Sequence, residues 1–372
     1  MMSQRNSRAT LEGTEKYWSR FNSAIANDHI REILGVKVAS IGLGTYLGNP
    51  DAETDRMYED AVQAALSMGT NIIDTAANYR FQRSEKSVGR ALKRLFEAGV
   101  FARDEIFVSS KAGFIPYEDS EPVDPKQYFD KVFLRTQIIR EGELAAGCHC
   151  MAPVYLTHQL EQSLANLKLE CIDLYYLHNP ELQLREVVRD EFNHRMLDAF
   201  AALEAAVGRG KIGFYGTATW NGYRAQPGAP DLLSLPELLA IARQAGGEDH
   251  HFRAIQLPIN LAMPEAFTRQ NQNDGDAWRS VLEVASANGM MVMASGSISQ
   301  GSLARNLPRD LREFLGQKSD ACNAIQFVRS TPGVTAALVG MKNSAHVREN
   351  LALAAVPPLT PGQYMRLFTP VE

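Results

Sequence analysis

Eight short apolar runs alternate with eight amphipathic stretches from residue 38 onward, and this alternation confines the chain to a parallel sheet covered by helices. The runs are 38–44, 71–75, 106–111, 172–178, 212–217, 254–258, 291–295 and 336–340. Short and β-rich, they read as strands buried on both faces. Good helix formers fill 55–67, 85–96, 155–167, 196–207, 235–245, 277–287, 321–330 and 345–353. Eight such units without an internal break predict a closed (β/α)8 TIM barrel over an open doubly wound sheet. No Gly-x-Gly-x-x-Gly opens a helix after the first strand, so the open alternative lacks its phosphate loop.

The 372 residues exceed the usual size of a single core, but α/β barrels of this length form one domain. A formal net charge of −5 gives no reason to expect nucleic acid or an anionic membrane as partner. No run of about 18 apolar residues predicts a membrane span, and the polar start leads into no apolar leader. Four cysteines, Cys148, Cys150, Cys171 and Cys322, are sparse for a disulfide scaffold and fit a reducing compartment. The expectation is a cytoplasmic enzyme. Its barrel spans 35–372 and follows an N-terminal extension, 1–34, in which Tyr17-Trp18-Ser19-Arg20-Phe21 predicts a helix across the barrel floor. A long βα insertion, 115–152, follows the third strand. Such loops lie on the catalytic face, so it is either a wall of the mouth or a surface excursion.

Polar, chemically capable residues sit at or just past the ends of three of these runs. Asp74 and Tyr79 follow the second, Lys111 closes the third and His178 closes the fourth. C-terminal strand ends are where a barrel of this kind assembles its site. A free tyrosine has a pKa of about 10 and needs help to act as an acid near neutrality. The Lys111 ammonium would lower it, and Asp74 would hold that ammonium charged and oriented. His178 would hydrogen-bond a carbonyl oxygen and fix the face it presents. The tyrosine would then protonate the forming alkoxide as a hydride arrives.

Further stretches sharpen this reading: Ile41-Gly42-Leu43-Gly44-Thr45, Ile73-Asp74-Thr75-Ala76-Ala77-Asn78-Tyr79, Ser84-Glu85-Lys86-Ser87-Val88-Gly89, Ser109-Ser110-Lys111, Ser163-Leu164-Ala165-Asn166-Leu167 and Ile172-Asp173-Leu174-Tyr175-Tyr176-Leu177-His178. In order and context they resemble the aldo-keto reductase family over about residues 38–355. The resemblance implies a (β/α)8 barrel that binds NADPH, with NADH as the other candidate, and reduces a small-molecule aldehyde or ketone. Asp74, Tyr79, Lys111 and His178 fall on that family's catalytic tetrad. Thr45 lies in the first matching stretch, and Gln256 falls on the glutamine that reaches the nicotinamide amide. The segment from Gly340-Met341-Lys342-Asn343 to Val347-Arg348-Glu349-Asn350-Leu351 resembles the adenine and 2′-phosphate site. There Glu349 and Asn350 would meet the adenosine, with Lys342 and Arg348 as counter-charges.

Three departures stand out. The family's Ser-Asn pair after strand five is read here as Thr217-Ala218, leaving the Thr217 hydroxyl. Ser295 replaces the tyrosine that stacks on nicotinamide, and His346 stands where an arginine often meets the 2′-phosphate. A lysine does not clamp phosphate bidentately as a guanidinium does, so the choice between NADPH and NADH stays open.

Rival readings have less support. Cys148-His149-Cys150 lacks the Cys-x2–4-Cys spacing of a zinc site and has no evident third and fourth ligands, so no metal is expected. His250-His251 precedes strand six, on the floor side. Glycoside hydrolysis needs two strand-end acids about 5 to 10 Å apart, and Glu181 has no partner among strands five to eight. From another class, a cofactor-binding regulatory or interaction subunit with little turnover is the alternative, motivated by the altered nicotinamide contacts. Phe114, Tyr117, Trp220, Tyr223 and Phe267 are expected to wall an apolar pocket within loops 115–152, 179–193, 221–231 and 261–275. Oligomeric state is not readable.

Overall fold

The fold was read from a computed structural model that describes residues 7–21 and 24–369; the polar start at 1–6 lies outside the described residues. Eight parallel strands close a barrel: β1 (Ile41–Gly44), β2 (Ile72–Asp74), β3 (Phe107–Ala112), β4 (Ile172–His178), β5 (Ile212–Ala218), β6 (Phe252–Pro258), β7 (Met291–Ser295) and β8 (Ala336–Gly340). They follow one another around the wall in chain order, and β8 pairs back onto β1. Between them run the helices α1 (Ala52–Leu66), α2 (Arg83–Glu97), α3 (Pro153–Leu167), α4 (Arg189–Gly208), α5 (Leu235–Gly246), α6 (Val281–Ala287), α7 (Asp320–Ser330) and α8 (Ser344–Leu351). The TIM barrel expected from the alternation is the observed fold.

The strands are largely apolar because both faces are covered. Inside the wall, Ile72, Phe107, Leu174, Met291 and Met293 form one cluster with Val36 and Val38 from below. A larger shell lies between wall and helices, with Val62, Val88, Leu160 and Phe200 among its members. Where two helices meet closely, a glycine makes room: a Cβ on Gly89 of α2 would lie 2.2 Å from the Asn166 carbonyl oxygen of α3.

The floor is sealed by a helix, Leu11–Ser19, and an antiparallel hairpin, Ile30–Ile33 with Val36–Ala39. The Tyr17 hydroxyl donates to the Leu66 and Thr70 carbonyls at 2.7 and 2.9 Å, and the Trp18 indole donates to the Lys37 carbonyl. The expected first strand, 38–44, is in fact two. Val36–Ala39 belongs to the hairpin and Ile41–Gly44 to the wall, with the break at Ser40, whose hydroxyl meets buried His29 at 2.9 Å. A single small polar residue between apolar neighbours is too weak a signal to reveal that corner. The stretch expected as helix 277–287 starts later, at Val281. Trp278–Arg279 pairs with Gln272–Asn273, and a capping box between Ser280 and Glu283 starts the helix.

The insertion 115–152 is clamped to the exit of β3. Ile115 N–H donates to the Cys148 carbonyl and Cys150 N–H to the Gly113 carbonyl, both at 2.8 Å. Phe133 and Ile139 of the insertion are buried, with Phe133 against Tyr155 of α3. Among the described residues no helix is long and apolar enough to cross a membrane.

Gly89→Ala should drive α2 and α3 apart. Overpacking of this kind costs about 1–3 kcal/mol, seen as a lower urea midpoint at unchanged slope. An unshifted midpoint would mean that the helices yield freely.

Candidate active site

Asp74 is the last residue of β2 and Lys111 the fifth of β3, so neighbouring strands deliver them to the same end of the barrel. The Lys111 ammonium lies 2.6 Å from Asp74 Oδ2 and 2.8 Å from the Thr75 carbonyl oxygen. The other carboxylate oxygen accepts from Ser109 Oγ at 2.8 Å and from Gln256 Nε2 at 2.9 Å. Ser109 and Lys111 share a strand face because side chains alternate with a period of two. Both charges are almost wholly out of water, with side-chain exposures of 0% for Lys111 and 5% for Asp74. Burial opposes the Lys111 charge, but Asp74 and then Tyr79 outweigh it and hold the ammonium pKa above its ordinary value.

Tyr79 comes forward from β2, and its ring centroid lies 4.8 Å from the Lys111 ammonium. Three side-chain-bearing residues in left-handed conformation follow it: Arg80, Phe81 and Gln82, at φ of 51, 57 and 67°. This turn delivers the chain into α2 and fixes where the tyrosine stands. It is held by Arg80, buried and ion-paired to Asp55 of α1, which also receives Arg83 at 2.7 Å. Such a conformation persists only where the surroundings enforce it. The phenol pKa is raised, since burial outweighs the lowering by Lys111. The net shift is thus opposite to the sequence expectation, although the lysine acts in the expected sense.

His178 ends β4, its ring edge-on to Tyr79 at 5.9 Å and to Phe114 at 5.0 Å. Burial, then Lys111 and His149, keep its pKa well below the usual histidine range, so the imidazole is neutral. Tyr79, His178 and Asp74 line a cavity of about 640 Å³ at the C-terminal end of the barrel. Tyr46, Leu47, Phe114 and Trp220 supply its apolar wall.

The expected cofactor residues divide into three groups. Thr45, Gln256 and Ser295 line this cavity; Thr45 also donates to the Asp74 carbonyl at 3.1 Å. Thr217 does not line it: its hydroxyl is 2.6 Å from that of buried Tyr223. The wall there is instead Ala218 and Thr219, and the Thr219 hydroxyl is buried without a partner. The reading Thr217-Ala218 was one residue out of step, enough to exchange the two faces of a strand. Lys342, Arg348, Glu349 and Asn350 lie beyond Gly340, outside the cavity, and the Asn350 side-chain oxygen is buried and unpartnered. Lys342 reaches back beside Gly48 in the loop after β1.

Of the segment at the end of β7 and after it, the sequence reading named only Ser295. Ser295, Gly296, Ser297, Ile298, Ser299 and Gln300 all line the cavity. Gly296, Ser299, Gln300 and Gly301 have positive φ, so the backbone turns sharply here, with the Ser299 N–H donating to the Gly296 carbonyl and the Gly301 N–H to the Ile298 carbonyl. A Ser/Gly-rich run directly after a strand was the available signal. Of the expected pocket residues, Phe114 and Trp220 line the cavity. Tyr117 packs on Phe81, Phe267 on Tyr364, and Tyr223 is inside the wall. Beyond Phe114, the insertion contributes nothing to the lining. Glu181 is structural, its Oε1 accepting three backbone N–H groups, from Trp220, Asn221 and Gly222. His251 pairs with Glu204 at 2.7 Å. All four cysteines are free thiols, and among the described residues no cluster of three or more His, Cys, Asp or Glu could hold a metal.

A nicotinamide carboxamide fits the polar atoms at the cavity base. Gln256 donates its N–H to Asp74 and has its carbonyl oxygen for an amide N–H, while Thr219 has a hydroxyl for an amide oxygen.

The pattern of the aldo/keto reductase family matches residues 40–324, and the chain belongs to that family. It is 27% identical over 192 residues to aldo-keto reductase family 4 member C11 of Arabidopsis thaliana, covering 50% of this chain and 47% of that protein. With aldose reductase B of Dictyostelium discoideum it is 32% identical over 159 residues, covering 43% and 36%. The matched stretches span less than half the length of these curated relatives. A crystal structure of an aldo/keto reductase from Klebsiella pneumoniae, in complex with NADP and acetate, superposes with TM-score 0.60 at 20% identity, covering 93% of this chain and 97% of that one. A holo aldo-keto reductase from Bacillus halodurans gives 0.62 at 18%, covering 92% and 96%. At such identities the likeness carries the fold.

Lys111→Met should leave the Asp74 carboxylate buried without its counter-charge, at a cost of about 3–5 kcal/mol. Adding Asp74→Asn should recover much of that loss. Urea denaturation of the single and double variants checks this, and additive losses would show that the two charges are not coupled.

Proposed function

We propose that this protein is an NAD(P)H-dependent oxidoreductase that reduces an uncharged aldehyde or ketone to an alcohol. The observation that carries the reading is the convergence of Asp74, Tyr79 and His178 on one cavity, with buried Lys111 behind them between carboxylate and phenol. Bound, the nicotinamide coenzyme supplies the hydride. Gln256 and Thr219 would hold its carboxamide, and Lys342, Arg348, Glu349 and Asn350 would face its adenosine end.

The neutral His178 imidazole donates an N–H to the substrate oxygen and turns the carbonyl carbon toward the hydride donor. Tyr79, kept protonated by burial, gives its proton to that oxygen as negative charge develops there. Lys111 stabilises the phenolate left behind, and Asp74 keeps the lysine charged and in place. The cavity lining contains no lysine or arginine, so no cationic side chain there matches a carboxylate or phosphate on the substrate. Tyr46, Phe114 and Trp220 suit an apolar or aryl body.

Titration with NADPH and NADH, followed by quenching of Trp220, should give saturable binding, and 4-nitrobenzaldehyde should then be reduced. Binding with no turnover of any uncharged carbonyl would favour a regulatory subunit, and no binding would overturn the proposal.

Tyr79→Phe should reduce turnover by about 10²–10⁴-fold and leave coenzyme affinity unchanged; a rate near wild type would remove the phenol from the mechanism. The pH profile of reduction should be flat through the histidine range, because the His178 pKa lies well below it. The rate should fall only as pH rises through the raised Tyr79 pKa, where the proton to be donated is lost. An inflection near neutrality would contradict both assignments.

A further inference from the structure

We propose that His149, the central residue of Cys148-His149-Cys150, is a positioning residue for His178: its Nε2–H holds the His178 carbonyl oxygen at 2.8 Å and so fixes where that imidazole stands in the cavity. The inference rests on the reductase reading for its kinetic consequence alone.

The need arises where the sheet ends. The last β3–β4 pair is Ala112 with Leu177, so the His178 carbonyl has passed the end of the ladder on that side. The next residue, Asn179, is left-handed at φ 51° and ψ 55°, and its N–H turns to the Ala218 carbonyl of β5 at 2.6 Å. A part-buried carbonyl that the ladder leaves unpaired is best served by a donor, and the insertion supplies one. Gly113 permits the approach: at φ +146°, a Cβ there would lie 2.7 Å from both His149 Nε2 and the His178 oxygen.

The proton is assigned by a chain of partners. Arg195 of α4 has donors only, and its Nη1 lies 2.7 Å from Gln183 Oε1. That sets the Gln183 amide, whose Nε2 then donates to His149 Nδ1 at 2.9 Å. With Nδ1 accepting, the proton of a neutral imidazole is on Nε2, facing the His178 carbonyl. Protonating Nδ1 would set it against the Gln183 amide. Burial agrees, holding the His149 pKa down to about 4. Arg195 also bonds Gly142 of the insertion at 3.1 Å and Glu191 at 2.8 Å. Phe114 sets its ring edge-on to both histidines, at 5.6 Å from His149 and 5.0 Å from His178. A motif with the residue types of a metal site is thus a proton-specific brace, and it links the outer face of α4 to the side chain that receives the carbonyl.

The test uses full-length protein labelled with ¹⁵N-histidine, with His178→Asn assigning the His178 ring signals. His149→Phe keeps a ring and removes the donor, so it should shift or split the His178 signals. His149→Gln places an amide nitrogen near Nε2 and should restore them. In parallel, His149→Phe should lower kcat for 4-nitrobenzaldehyde by about ten- to hundredfold with an unchanged Kd for NADPH, and His149→Gln should recover most of the rate. His178 signals in His149→Phe identical to wild type would overturn the proposal. Should that variant not fold, Gln183→Leu removes the amide that sets the tautomer; unmoved His149 and His178 signals would then overturn it. If the wild type reduces no carbonyl, that counts against the reductase reading, and the spectra alone decide this inference.

Discussion

The buried ion pair between Lys111 and Asp74 is the constraint around which the candidate site is arranged. Two charges taken this far from water are costly, and their attraction offsets the cost only when every remaining donor and acceptor is satisfied. Here Ser109, Gln256 and the Thr75 carbonyl complete the shells. These groups come from β2, β3, β6 and the turn after β2, so satisfying one charge pair ties both sides of the barrel mouth together. The same geometry leaves the ammonium one face, and Tyr79 occupies it.

Partial withdrawal from water acts on the two proton-bearing rings in opposite directions. Burial raises the pKa of the phenol and lowers that of the imidazole, and each shift favours the uncharged form. Both rings therefore enter the neutral pH range as N–H or O–H donors. The oxygen they serve gains its negative charge only during reaction, which is when such donors stabilise it most.

The alternation that gave the barrel was legible because burial on both faces leaves short, nearly continuous apolar runs, and Asp74, Lys111 and His178 were legible because they interrupt or end those runs. What stayed hidden depends on one-residue offsets and on backbone conformation. Thr217 and Thr219 are the same residue type two positions apart, yet one is tied to Tyr223 and the other lines the cavity. The corner at Ser40 is marked in the sequence only by one small polar residue between apolar neighbours. The Ser280 capping box and the Ser/Gly run after β7 were written in the sequence and went unread. The aromatic content of the loops 115–152 and 261–275 pointed to the pocket, whereas much of the lining comes from the turns directly after β1 and β7.

The left-handed turn at Arg80, Phe81 and Gln82 carries a consequence for how such a site can change over generations. Each side chain there raises the energy of the folded backbone by about 1–2 kcal/mol relative to glycine. Glycine would relieve that cost, yet it would admit more paths into α2 and spread the tyrosine over more orientations. Selection for a sturdier fold and selection for a sharper site therefore pull these positions in opposite directions. The turn can keep its residues only while the second pressure is the stronger.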